Sequence, residues 1–199
     1  MIIKTVILSF ALTSIVNAAD VKKLVESCTA CHGKDGASTV TIIPSIGGLS
    51  AKYLNLTFKA YKGKERLCAE TTIPVGTQKD TKTDMCKVVD SLSDDDVKNL
   101  VKFYSGKKFV RAAQSFDATL AEKGKGIHKT NCEKCHSEGG SLASDESSIL
   151  AGQQKGYLDA TFKELMDGKR PMDKKMQAKF ETLDKESIEA LSHYYASFK

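Results

Sequence analysis

Past its first eighteen residues, this chain of 199 residues has no run apolar enough to cross a bilayer, no dense basic cluster and few histidines, four in all. The missing apolar run excludes a later membrane span and predicts a soluble product. The formal charge of +5 comes from 30 Lys and Arg interspersed with 25 Asp and Glu, with no interleaving of aromatic and basic residues. That pattern excludes a nucleic-acid-binding surface. Most of the lysines read as solvated surface, or as a docking patch beside a redox centre.

The scarcity of histidine gives weight to where it stands. Two of the four directly follow a Cys-x-x-Cys pair, in Cys28-Thr29-Ala30-Cys31-His32 and again in Cys132-Glu133-Lys134-Cys135-His136. Two cysteines at this spacing each form a thioether to one haem vinyl group, and the histidine beside them ligates the iron. The pairs would otherwise supply four thiolates to zinc, or act as thiol-disulfide centres, and neither use requires a histidine after the second cysteine. Each copy is read as a covalent anchor, giving two covalently bound haem c groups per chain.

Met1 to Ala18 has one early charge at Lys4, an apolar run from Val6 to Val16, and the small-residue sequence Val16-Asn17-Ala18. This reads as an export signal cleaved near Ala18, and the apolar run is short for a membrane anchor. Covalent haem attachment fits the periplasm, where export would deliver the chain. About 180 residues then remain, enough for two small units whose apolar cores are each completed by a haem.

The chain is a duplication. A shift of 104 residues places Cys28 on Cys132, His32 on His136, Gly48 on Gly152, Tyr53 on Tyr157 and Phe58 on Phe162, and a shift of 91 places Met85 on Met176, Leu92 on Leu183, Leu100 on Leu191 and Tyr104 on Tyr195. The first half therefore carries 13 extra residues before its methionine. Each half reads as a helix leading into the anchor, a glycine-containing loop, a central helix, a methionine loop and a closing helix, so the fold class is all-α. Ser93 with Asp96 forms a capping box for one closing helix, Asp184 caps the other, and Asp117 or Thr119 caps the first helix of the second half. The division is residues 1–18 for the signal, 19–112 for the first unit and 113–199 for the second.

An iron that carries electrons without binding small molecules needs a second axial ligand, and methionine is the usual partner in cytochromes c. Met85 and Met176 are selected because they occupy equivalent positions. Met172 competes for the second iron from the same loop, and Met166 is assigned to core packing. The anchor histidines need acceptors for their outward nitrogens; Pro44 supplies a carbonyl in the first half, and Ser148 is its counterpart. Arg66 and Arg170 either pair with haem propionates or form surface salt bridges, and His128 and His193 read as ordinary surface or helix residues. Cys68 and Cys86 remain. In an oxidising compartment they form a disulfide that closes the insertion, the alternative being two buried free thiols.

The second half, from about Ala113, resembles the dihaem cytochrome subunit of flavocytochrome c sulfide dehydrogenase. The resemblance is carried by Gln114-Ser115-Phe116-Asp117, the second anchor followed by Glu138-Gly139-Gly140, Ile149-Leu150-Ala151-Gly152-Gln153, Arg170-Pro171-Met172 and Lys174-Lys175-Met176. The first half is similar only in its anchor, methionine and final helix, and the insertion between Cys68 and Cys86 departs from the family. The resemblance implies two tandem class I cytochrome c folds related by pseudo-twofold symmetry and bound to an FAD-containing flavoprotein subunit that oxidises sulfide. Electrons would pass through both haems to a soluble cytochrome c, with no chemistry of the chain's own. A free-standing dihaem cytochrome shuttling electrons to a terminal oxidase shares the same motifs. A dihaem peroxidase or thiosulfate-oxidising enzyme would need an open or unusual axial position, against which two histidine-methionine pairs argue.

Overall fold

A computed structural model describes residues 18–199. Residues 1–17, all but the last of the expected export signal, lie outside the described residues. The described chain is helical apart from one two-stranded hairpin. The first half runs α1 (Ala18–His32), α2 (Ala51–Lys62), β1 (Thr71–Thr72), β2 (Lys82–Thr83), α3 (Met85–Asp90) and α4 (Asp94–Ser105). The second runs α5 (Ala118–Asn131), a single turn α6 (Ser137–Gly140), α7 (Lys155–Met166), α8 (Lys174–Phe180) and α9 (Lys185–Ala196). The non-helical stretch 106–117 joins them, and we place the division between the units within it, at Ala113. No helix among the described residues is long and apolar enough to cross a membrane.

Local chemistry sets the helix starts. Ser93 and Asp96 form the capping box at α4, with the Ser93 hydroxyl accepting from Asp96 N–H and the Asp96 carboxylate accepting from Ser93 N–H. Asp117 accepts from Leu120 N–H at α5, and Asp184 from Ser187 N–H at α9. Each half closes by packing its first helix against its last. Leu24, Val25 and Cys28 meet Leu100, Val101 and Tyr104 in one core, while Ile127 and Cys132 meet Ile188, Leu191 and Tyr195 in the other. On α5 the fully buried face is Ala121, Gly124 and His128. A side chain at Gly124 would run into the Ala190 carbonyl, so glycine there lets the two helices touch backbone to backbone.

The duplication is visible bond by bond in the loops after the anchors. Ile46 N–H donates to Gly36 O at 2.8 Å and Leu150 N–H to Gly140 O at 2.8 Å; Gly48 N–H donates to Tyr104 O at 2.8 Å and Gly152 N–H to Tyr195 O at 2.7 Å. Gly48 and Gly152 hold φ of 78° and 73°, a backbone region that costs other residues strain, and this is why both repeats keep glycine there. The insertion folds as the β1–β2 hairpin, with Thr71 opposite Thr83 and Ile73 buried beneath it. The Cys68–Cys86 disulfide ties its base to α3.

The halves meet through buried polar groups. Gln153, 1% exposed, accepts Ser45 N–H on its side-chain oxygen at 2.8 Å and donates to Ser45 O at 2.9 Å. Gln154 donates to Ser38 O, and Tyr157 N–H to Thr41 O at 2.8 Å. Because every one of these groups is bonded, burying them costs little.

Candidate functional site

A cavity lies mainly in each half, and each borrows a wall from the other. The second-half cavity, about 270 Å³, is lined by Cys132, Cys135, His136, Phe162, Met172 and Met176. The first-half cavity, about 90 Å³, is lined by His32, Phe58, Arg66, Met85 and Tyr104 among others. The structure thus brings together His32 with Met85 and His136 with Met176. Cys132 and Cys135 face their cavity, whereas Cys28 packs against the first core and Cys31 is half-buried without lining the first cavity.

The methionines stand on helices rather than in the loops expected of them. Asp84 caps α3 by accepting Lys87 N–H, and Met85 is the first residue after it; Asp173 caps α8, placing Met176 one turn in. Met172 also lines the second cavity and is half-buried, so both methionines reach the same space. Met166, assigned to the core on sequence, is 46% exposed, because Leu165 takes the inward position on α7.

The histidines are oriented from behind. His32 Nδ1 donates to Pro44 O at 2.9 Å, as expected, which leaves Nε2 for the cavity. His136 differs from the Ser148 expectation in part: its Nδ1 lies 3.2 Å from Ser147 Oγ, whose hydroxyl also donates to Cys135 O at 3.1 Å, and the Ser148 backbone gives a further contact. Without a proline to fix the loop, the adjacent hydroxyl reaches the ring. Burial holds both imidazoles below the ordinary histidine range, which keeps them neutral and able to ligate.

Burial also raises the thiols of Cys28, Cys31 and Cys132. Thiol-disulfide centres work through depressed thiols, so this environment opposes that use of the pairs. Zinc held by both pairs is also opposed. Among the described residues, the grouping of three or more metal-ligating side chains is Cys68, Asp84 and Cys86, and its two sulfurs are joined to each other.

Arg66 is buried and forms no ion pair among the described residues, which corrects its surface salt-bridge reading, whereas the half-buried Arg170 does pair with Glu164. Arg66 is 7% exposed, stacks over the Tyr61 ring, donates to Tyr157 OH at 3.2 Å and has a buried Nε with no partner. Arg170 donates to Thr161 Oγ1 at 2.9 Å, with Glu164 at 3.7 Å. Burial would raise the Tyr157 phenol, yet the two guanidiniums beside it bring it down to about 7. A phenol driven toward its anion marks a site short of negative charge. Haem fits this site: its carboxylates would answer the orphaned Nε, its apolar ring would suit walls of Leu, Phe and Tyr, both cavities offer an anchor imidazole, and the second also offers both anchor sulfurs.

His128, read from sequence as an ordinary helix or surface residue, is 1% exposed. Its Nδ1 meets Tyr195 OH at 2.9 Å, and its Nε2 lies 2.7 Å from Glu133 Oε2 without the alignment of a hydrogen bond. Glu133 in turn accepts Glu138 N–H at 2.9 Å, so the group braces the second anchor. The spacing of Ala121, Gly124 and His128 on one helical face was the available signal.

The cytochrome c family matches residues 18–105, and the family described as cytochrome c oxidase, cbb3-type, subunit III matches residues 119–194. Cytochrome c4 of Stutzerimonas stutzeri is 27% identical over 180 residues, covering 84% of this chain and 82% of that protein. The reduced recombinant cytochrome c4 from Pseudomonas stutzeri superposes with a TM-score of 0.73 at 24% identity, over 92% of this chain and 99% of that one. A thiosulfate dehydrogenase from Marichromatium purpuratum shares the fold with a TM-score of 0.71 at 22% identity, over 90% of this chain and 40% of that one.

Two class I cytochrome c folds in tandem, with two covalently bound haem c groups, define an electron-transfer protein, a dihaem c-type cytochrome. Its reciprocal contacts between repeats follow the pseudo-twofold relation. Within that class the chain is similar, along most of its length, to cytochrome c4.

Proposed function

We propose that this protein is an exported dihaem relay that takes electrons from a sulfide-oxidising FAD flavoprotein and passes them to a soluble cytochrome c. Haem supplies the one-electron chemistry when bound. The chain's residues would do the rest: Cys28 and Cys31 would hold the first group and Cys132 and Cys135 the second, His32 with Met85 and His136 with Met176 would offer nitrogen and sulfur to the two irons, and Arg66 and Arg170 would face the carboxylates. The observation that carries the relay is the Arg–Tyr seam, in which Tyr53 and Tyr157 line both cavities. The flavoprotein donor is supported by the second-half motifs from Gln114 to Met176.

A free-standing dihaem carrier feeding a terminal oxidase would use the same two anchors and the same methionines. Purification from the native source separates the two. Co-elution with a flavoprotein, and sulfide-dependent haem reduction only when that protein is present, is the expected result. A monomer whose reduction by sulfide is indifferent to added flavoprotein would replace it with the carrier.

A further inference from the structure

In the second half the arginine and the methionine that line the cavity are close in sequence, with six positions from Arg170 to Met176. In the first half the insertion puts 19 positions between their repeat equivalents, Arg66 and Met85, which also line one cavity. The Cys68–Cys86 disulfide makes up the difference. Cys68 follows Arg66 by two residues and Cys86 follows Met85 directly, so with the bridge closed the covalent path from arginine to methionine is as short as in the second half. With the bridge open, Met85 would end a far longer tether.

The two sulfurs are not equally accessible. Cys86 is 4% exposed on α3, whereas Cys68 is half-buried in a stretch without helix or strand, between exposed Leu67 and Ala69. An incoming thiol therefore meets Cys68 first. The bridge also touches both walls of the cavity: the Cys68 sulfur lies 3.7 Å from Arg66 O, and a carboxylate oxygen of Asp84, the cap of α3, stands within 4.8 Å of both sulfurs. The hairpin has other attachments, since Ile73 is buried beneath it and Gly76 packs against the Ala30 side chain. Opening the bridge thus lengthens the tether without unfolding the insertion.

We propose, resting on the relay reading in which Met85 is an axial ligand, that Cys68–Cys86 is a thiol-exchange site for a dithiol and that its opening loosens Met85 at the first haem site alone. One thiolate of the dithiol attacks the Cys68 sulfur, the S–S bond breaks, and Cys86 leaves as a thiolate that takes up a proton. The second thiolate of the dithiol then attacks its own sulfur in the mixed disulfide, and Cys68 leaves and is protonated in turn. The dithiol ends as a disulfide and the chain gains two electrons and two protons, with no electron exchanged at either haem site. Effective concentration falls roughly as the three-halves power of tether length, so Met85 is expected to compete about fivefold less well against an added ligand. The second half has no cysteine outside its anchor, and its site is expected to stay as it is.

The test uses the holoprotein with dithiothreitol as the dithiol. Freed thiols are trapped with iodoacetamide, the haems are reoxidised with ferricyanide, and imidazole is titrated against the red charge-transfer band of methionine-ligated ferric haem. Peptide mass analysis is expected to find carbamidomethyl groups on Cys68 and Cys86 only after dithiol treatment. Half of the band is then expected to disappear at about fivefold lower imidazole than in the untreated protein, and the other half to titrate as before. Cys68→Ser with Cys86→Ser is expected to give the same shift with neither reductant nor alkyl group present. In Met176→Ala the remaining band belongs to the first site and is expected to move by the same factor on dithiol treatment. A bridge that dithiothreitol leaves closed in the folded protein, or two trapped thiols with imidazole affinity unchanged there and in the serine variant, would overturn the proposal. A protein with no red band before treatment sinks the methionine-ligand reading instead.

Discussion

Arg66 donates to Tyr157 OH at 3.2 Å across the boundary between the repeats, and its equivalent Arg170 reaches back to Tyr53 OH at 3.5 Å. The exchange is reciprocal but unequal, because Arg170 also holds Tyr157 at 3.3 Å. Both guanidiniums thereby sit where the two cavities adjoin, and a buried positive charge favours the electron-rich reduced state of a neighbouring centre. Arg66→Leu is expected to lower the reduction potential of the first haem by about 60 mV, a tenfold shift for one electron. Spectroelectrochemical titration reads it; an unchanged or raised potential would place Arg66 outside the haem's field.

The choice between the two methionines of the second half is open to direct measurement. Met176→Ala is expected to halve the red charge-transfer band of methionine-ligated ferric haem and to let cyanide bind one haem per chain, while Met172→Ala leaves both signals in place. The reverse pattern would assign the iron to Met172, which lines the same cavity from a half-buried position.

The Cys68–Cys86 bridge spans 18 residues and ends beside Met85. Replacing both cysteines with serine is expected to cost about 3 kcal/mol, mainly by freeing the unfolded chain. Thermal unfolding followed at the first haem's Soret band measures this, and a loss below about 1 kcal/mol would mean that the hairpin is held by packing alone.

Burial keeps the His128 imidazole below its ordinary range, with Glu133 opposing the shift. The unfolded chain therefore takes up this proton first, so the contribution is present at neutral pH and is lost as pH falls below about 6.5. His128→Phe is expected to flatten that acid limb of the stability profile. At neutral pH it should cost about 1–3 kcal/mol, because Tyr195 OH loses its partner. Denaturant titration at several pH values checks both; an acid limb as steep as the unmodified protein's would clear His128.

The repeat made much of this legible in sequence. Anchors, caps and closing helices recur at fixed shifts, and they reflect local rules: a carboxylate three residues into a helix, an apolar face at helical spacing, a histidine after paired cysteines. His128 and the Arg–Tyr seam were harder to read because their meaning is set by what lies opposite them. His128 looks polar until Tyr195 and Glu133 close around it, and Arg66 looks solvent-facing until the second half covers it. Ser147 joining the Ser148 backbone at His136 is an addition that backbone freedom after the anchor allows.

The central claim is that each anchor pair carries its own haem, and peptide mass analysis of the purified chain tests it most directly. Two covalently attached haems are predicted, one on the peptide with Cys28 and Cys31 and one on that with Cys132 and Cys135. A single haem, or free thiols at either pair, would contradict the account.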